Sequence, residues 1–180
     1  MSVFFLADTH FGDGNILRYE NRPFATVEEM DRELIRRWNE KVGAGDTVFH
    51  LGDFSARGEE EDRAILSQLA GEKVLVLGNH DRHRTPAQWR SLGFAEAVPW
   101  PLVWEGFFLL SHEPLYVNRN MPPTPTCSAT STATPPIGMP APAACACPWS
   151  ARASRLSPPG NCGSGCKTSK AYKTPFEVLV

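Results

Sequence analysis

The sequence predicts an α/β fold, a β-sandwich flanked by helices and incomplete at its C-terminal end. Three observations predict it. Short apolar runs alternate with segments of helical period through residues 1–117. Several of those runs end in Asp, Asn or His. Beyond residue 117 the periodic pattern stops.

The elements follow in order. Val3–Ala7 is an apolar run long enough for a buried strand. Thr26 and Glu29 have capping-box spacing, and Val27, Met30, Leu34, Trp38 and Val42 recur on one helical face until Gly43 and Gly45 end it. Thr47–Leu51 predicts a second strand, Glu59–Leu69 a second helix broken by Gly71, and Val74–Leu77 a third strand ending at Gly78. A short helix follows Pro86. Leu102–Trp104 and Phe107–Leu110 flank Glu105-Gly106, a hairpin signal.

Composition bounds the function. A chain of 180 residues with 42% hydrophobic and 21% charged residues suits one domain with a real core. No apolar run approaches the roughly 20 residues of a membrane span, and the N-terminus lacks a basic leader, so a cytoplasmic protein is expected. Residues 1–117 hold 19 of the 20 acidic residues, 12 of the 18 Lys and Arg and all 5 His, for a net charge of −7. Residues 118–180 hold 11 of the 16 Pro and all 5 Cys, at +5. The expected domains are therefore a core over 1–117 and a low-complexity tail over 118–180, the latter disordered or misread, apart from a short strand near Phe176–Val180. The pairs Cys145-x-Cys147 and Cys162-x3-Cys166 have poor zinc spacing and an odd total, so they read as incidental thiols. The tail charge is too diffuse for a nucleic-acid surface.

The chemistry lies at the strand ends. The first strand runs into Asp8-Thr9-His10, the second into Gly52-Asp53, the third into Gly78-Asn79-His80-Asp81, and the run Phe107–Leu110 into Ser111-His112. Singly, each is an ordinary turn, cap or core histidine. Together, at the carboxyl ends of neighbouring strands, they converge on one crevice. Carboxylate, amide and imidazole donors suit Mn, Fe, Zn or Ni, and a carboxylate such as Asp53 can bridge two ions. His50 reads equally as a crevice residue or a buried structural one. Arg57, Arg82 and Arg84 read as solvated loop charges rather than phosphate ligands, and Asn15 as support for the first loop.

The stretches ADTHFGDGN, HLGDFS, VLGNHDR and LLSHEP resemble the calcineurin-like metallophosphoesterases over residues 3–116. DTHFGDGNILRYENRPF resembles a bacterial and phage subgroup in which His is usual where this chain has Asp13. The resemblance implies a phosphoester hydrolase acting on monoesters or diesters through a hydroxide activated by two divalent metals. Asp8 and His10 would bind one metal, Asp53 would bridge, and Asn79 and His112 would bind the second. Asn79 and His80 would meet the phosphate, with His80 as general acid or transition-state stabiliser and Asp81 orienting its ring. Nucleic acid would enter only as substrate, and no membrane is implied. The alternative is a non-catalytic module that holds phosphate or metal.

The family closes its site with Gly-His-x-His, and no histidine follows His112. A shifted reading frame would account for this. Taking the last base of each codon with the first two of the next, Ser128-Ala129-Thr130-Ser131-Thr132 can read Gly-His-Ile-His, and Pro159–Tyr172 can read as an amphipathic helix. The break would fall near Val117–Asn120.

Overall fold

Side chains along the first strand alternate between two interiors, and that alternation sets the architecture. In this computed structural model, residues 2–106 and 108–115 are described, with the backbone of Thr126–Ser128 and Glu177–Val178. Strand β1 (Val3–Leu6) points Phe4 and Leu6 to one side and Phe5 to the other. It pairs in parallel with β2 (Thr47–His50), which pairs with β3 (Glu72–Val76), which pairs with β4 (Glu96–Val98). The backbone of β8 (Glu177–Val178) lies parallel on the free edge of β1, giving the order β4-β3-β2-β1-β8.

Against one face, helices close a core of Phe4, Leu6, Val48 and Leu75 with Trp38, Leu66, Trp89 and Phe94. Helix α2 (Val27–Lys41) starts where the Thr26 hydroxyl accepts the Glu29 N–H, while the Glu29 carboxylate takes the Ala25 N–H. Its buried Met30 and Trp38 lie eight residues apart on one face. Helices α3 (Glu59–Gln68) and α4 (Pro86–Leu92) flank the same core, α4 with a full capping box at Thr85 and Gln88. Phe11, Phe54 and Trp89 are completely buried, each contributing about 1.5–3 kcal/mol of transfer free energy.

The other face carries Phe5, Ala7, Phe49, Leu51 and Val76 and meets a second sheet. There β5 (Leu102–Trp104) and β6 (Phe108–Ser111) form the expected antiparallel hairpin, and the backbone of β7 (Thr126–Ser128) runs parallel to β6. Trp104 and Phe108 pack on Phe5. The result is the expected α/β sandwich with helices outside it.

Two elements escape the sequence pattern. Helix α1 (Gly14–Tyr19) has one buried residue, Ile16, and is started by the Asp13 side chain. Strand β4 has three residues and shows no alternation readable alone. Strand β3 begins two residues before the expected start, because Glu72 and Lys73 pair with Thr47 and Val48. The reading of 118–180 as a low-complexity tail lies outside the described residues, apart from β7 and β8; β8 falls within the stretch expected to form a terminal strand.

The arginines require a correction. Arg84 and Arg57 are not solvated loop charges. Arg84 is buried, donates to the fully buried Asp62 carboxylate at 2.6 Å and to the Arg57 carbonyl at 2.8 Å, and lies over the Trp89 ring. Arg57 donates twice to the buried Asp31, whose other oxygen takes the Gly12 N–H. Replacing one partner of a buried pair strands the other charge. Arg84→Met therefore lowers unfolding free energy by about 3 kcal/mol, read as a fall in thermal midpoint; an unchanged midpoint contradicts the burial of this pair.

Candidate metal centre

The ladder between β1 and β2 does not stop at the strand ends. Leu51 N–H donates to the Leu6 carbonyl, Asp8 N–H to Gly52, His10 N–H to Asp53 and Phe11 N–H to Phe54, at 2.6–3.0 Å. Along this extension Asp8, His10 and Asp53 take φ of 55°, 49° and 58°. Left-handed backbone at a residue with a Cβ costs about 1–2 kcal/mol, and such strain clusters at functional sites. Here three left-handed residues each offer a ligand atom, and these atoms lie within 4.8 Å of one another. Two carboxylates and an imidazole so placed could hold a borderline divalent cation.

The loop after β3 locks onto the same group. Asp81 is completely buried, and its carboxylate accepts N–H from Asp53 at 2.7 Å, Gly78 at 2.8 Å and Phe54 at 2.9 Å. In return Asp53 Oδ1 accepts the His80 N–H at 2.9 Å. The expectation that Asp81 orients the His80 ring is corrected: its hydrogen bonds hold the backbone beneath the site. A Cβ on Gly78 would collide with Asp53 Oδ1, and one on Gly52, where φ is +98°, would lie 2.6 Å from His112 Nδ1. The loops approach this closely only because both positions lack a side chain.

His112 enters from the second sheet. Its Nδ1 lies 2.8 Å from the Leu51 carbonyl, and its Nε2 lies 3.0 Å from Asn79 Oδ1 and 3.4 Å from Asp53 Oδ2. His80 is exposed at the rim, its ring edge-on to His10 at 5.1 Å. His10 lies with Nε2 3.6 Å from Asp53 and Nδ1 3.6 Å from Asp13. The structure thus brings Asp8, His10, Asp53, Asn79, His80 and His112 into one crevice, with Asp81 under it.

The charges follow from this packing. Burial works against a charged His112, but the hydrogen bond and charge of Asp53, the Leu51 carbonyl and Asp8 push it up to about 9. Burial raises Asp8 to about 6, assisted by Asp53 and Glu20 and opposed by His112 and Arg22. Burial would also raise Asp53, but His112, the His80 N–H and His10 outweigh it and hold the carboxyl below its usual range. Burial lowers His10, against the pull of Asp53.

The remaining predicted residues lie outside the crevice or below it. His50 is fully buried and structural: its Nε2 contacts the Thr9 hydroxyl at 3.0 Å, that hydroxyl donates to the Phe54 carbonyl, and burial lowers the ring to about 3. Arg82 is exposed, 3.8 Å from Glu113. The exposed Asn15 contributes its backbone N–H to the Asp13 carboxylate. Sequence reasoning missed Arg22 and Asp31, which brace the Asp8–Gly12 loop: Arg22 lies in an irregular segment with no periodic signal, and Asp31 is a charge on α2 whose burial depends on Arg57 and Gly12, distant in sequence.

A parallel sheet packed against a mixed one thus carries a metal-ligand donor set at its strand ends. The chain belongs to the calcineurin-like phosphoesterase family, whose family model matches residues 1–130. It is similar to an uncharacterized protein of Methanocaldococcus jannaschii, 44% identical over 82 residues, which are 44% of this chain and 47% of that protein. It is also similar to the Gene 66 protein of Mycobacterium phage L5, 36% identical over 83 residues, 44% of this chain and 40% of that one. The match thus spans less than half the length of these curated relatives. Among solved structures, a protein of unknown function from Aquifex aeolicus superposes with a TM-score of 0.50 and 27% identity, over 62% of this chain and 60% of that chain.

The His112 shift has a measurable sign. A histidine raised on folding contributes stability that is complete below its unfolded value near 6.5 and lost as pH rises through about 9. His10 and His50 are lowered and exert their effect below that window. The thermal midpoint of metal-free chain therefore falls between pH 7 and 9, by an amount corresponding to at most about 3 kcal/mol, and His112→Gln flattens the slope. A midpoint that rises over this range contradicts the Asp53–His112 contact.

Proposed function

We propose that this chain hydrolyses phosphomonoester or phosphodiester bonds with the aid of two divalent cations. Asp8 and His10 would hold one, Asn79 and His112 the other, and Asp53 would serve both. The observation that carries this reading is the convergence of three left-handed residues, Asp8, His10 and Asp53, on one point. Family membership supports the reaction class. Bound there, Mn, Fe, Zn or Ni would polarise phosphoryl oxygens and acidify water.

The protein's own groups then have separate tasks. Asp53 is kept anionic, and while Oδ1 is occupied by the His80 N–H, Oδ2 faces both His10 and His112. The Leu51 carbonyl fixes His112 through Nδ1–H and leaves Nε2 facing the crevice. His80, exposed at the rim, would meet the phosphate together with Asn79 and give a proton to the leaving oxygen. Asp81 holds the backbone on which Asp53 sits. A cytoplasmic setting accompanies this reading, with nucleic acid only as substrate; no helix among the described residues is long and apolar enough to cross a membrane.

The chain has no histidine after His112, so the two that would complete the metal spheres are missing. Turnover is therefore weak. The test is uptake of Mn2+ by the purified full chain, with hydrolysis of bis-p-nitrophenyl phosphate and p-nitrophenyl phosphate. We expect measurable uptake and slow hydrolysis, reduced at least about 100-fold in Asp53→Asn. No uptake overturns the reading. One bound ion without hydrolysis favours the second reading, a phosphate- or metal-binding module, which the missing histidines support.

The domain boundary near 117 belongs to the same proposal, with residues 118–180 read in a shifted frame. The coding DNA between codons 115 and 135 decides it. Restoring the frame supplies Gly-His-Ile-His and is expected to raise hydrolysis at least about 10-fold to 100-fold, the loss typical of changing even a group that supports a metal ligand. Codons that cannot yield the motif refute the shift.

A further inference from the structure

We propose that Arg22 is a positioning residue for the metal centre, holding the left-handed turn that presents Asp8 and His10; this rests on the metal-binding reading above. Its guanidinium donates through Nη2 to the Asp8 carbonyl at 2.7 Å and through Nη1 to the Thr9 carbonyl at 3.0 Å. These peptide groups link Asp8, Thr9 and His10, the turn whose first and last residues have positive φ. The N–H of the second of these peptide groups, that of His10, donates to the Asp53 carbonyl, and the Asp8 N–H just before the first donates to that of Gly52. Arg22 engages the opposite side, so the turn is gripped from both.

The guanidinium is itself held. Nε donates to Glu20 at 2.9 Å, Nη2 lies 2.8 Å from the same carboxylate, and Nη1 lies 3.5 Å from Met30 Sδ at the start of α2. The Arg22 side chain is only 15% exposed. Asn21 has a left-handed φ of 51° just after α1, the Arg22 N–H caps the Leu17 carbonyl, and the Arg22 side chain reaches back to the loop after β1. A planar fork spans two carbonyls and a carboxylate at once; a lysine ammonium is a single point on a flexible stem and cannot reproduce that grip. The guanidinium touches backbone carbonyls and not the crevice, which makes it a positioning rather than a catalytic residue.

The experiment compares the full chain with Arg22→Lys and Arg22→Gln. Mn2+ affinity is measured by calorimetry, and the visible absorption of bound Co2+ reports the ligand geometry. Arg22→Lys keeps the charge and is expected to weaken Mn2+ binding at least about tenfold and to alter the Co2+ spectrum, while the metal-free fold persists by circular dichroism. Unchanged affinity and spectrum in both variants overturn the proposal. If neither variant folds, the unaltered chain decides: the Arg22 side-chain N–H signals in a nitrogen-resolved magnetic resonance spectrum are expected to be protected and to shift when Zn2+ is added, and unprotected, unmoved signals overturn the proposal. Failure of the unaltered chain to take up Mn2+ is a different result and refutes the metal-binding reading beneath it.

Discussion

Beneath the crevice, two carboxylates tie two loops together in opposite directions. Asp81, from the loop after β3, accepts the N–H groups of Asp53 and Phe54 in the loop after β2. Asp53 accepts the N–H of His80 in return. A carboxylate removed from water costs several kcal/mol unless fully hydrogen-bonded; three N–H donors offset part of that cost for Asp81, whose burial still raises the carboxyl above its usual range. The result is directional. Asp53 cannot move without uncovering Asp81, and the loops cannot separate without exposing both. Gly52 and Gly78 allow the approach, and the cross-link keeps it.

The electrostatics of the crevice follow from the same geometry. Asp53 lies within 3.6 Å of two imidazoles and remains anionic. His112 answers by binding a proton well above neutrality. A proton on His112 and a divalent cation are therefore alternative ways of neutralising Asp53.

Three arginines that brace the loops of this centre turn inward to the protein. Arg84 closes on Asp62, Arg57 on Asp31, and Arg22 on the carbonyls of Asp8 and Thr9. Each joins segments well apart in sequence and borders a loop that carries site residues. Within a single segment each resembles an ordinary surface charge, which explains why reading the chain alone assigned Arg57 and Arg84 to solvent. Burial of a partner 22 or 26 residues away reverses that assignment.

The local chain alone determined the alternation of short strands and helices, the hairpin at Glu105-Gly106 and the polar residues that close each strand. Those features depend on side-chain period and turn chemistry, which operate over a few residues. Asp8, His10, Asp53, Asn79 and His112 were legible as candidates for this reason, because each follows an apolar strand closely, and the structure brings them into one crevice. Tertiary structure decided the rest: that His50 serves the interior, that Asp81 braces backbone instead of a ring, that α1 and β4 form at all, and that Arg22 grips the first turn. Those outcomes depend on hydrogen bonds and burial between segments distant in sequence, and no local pattern records which distant partner a buried polar group will meet.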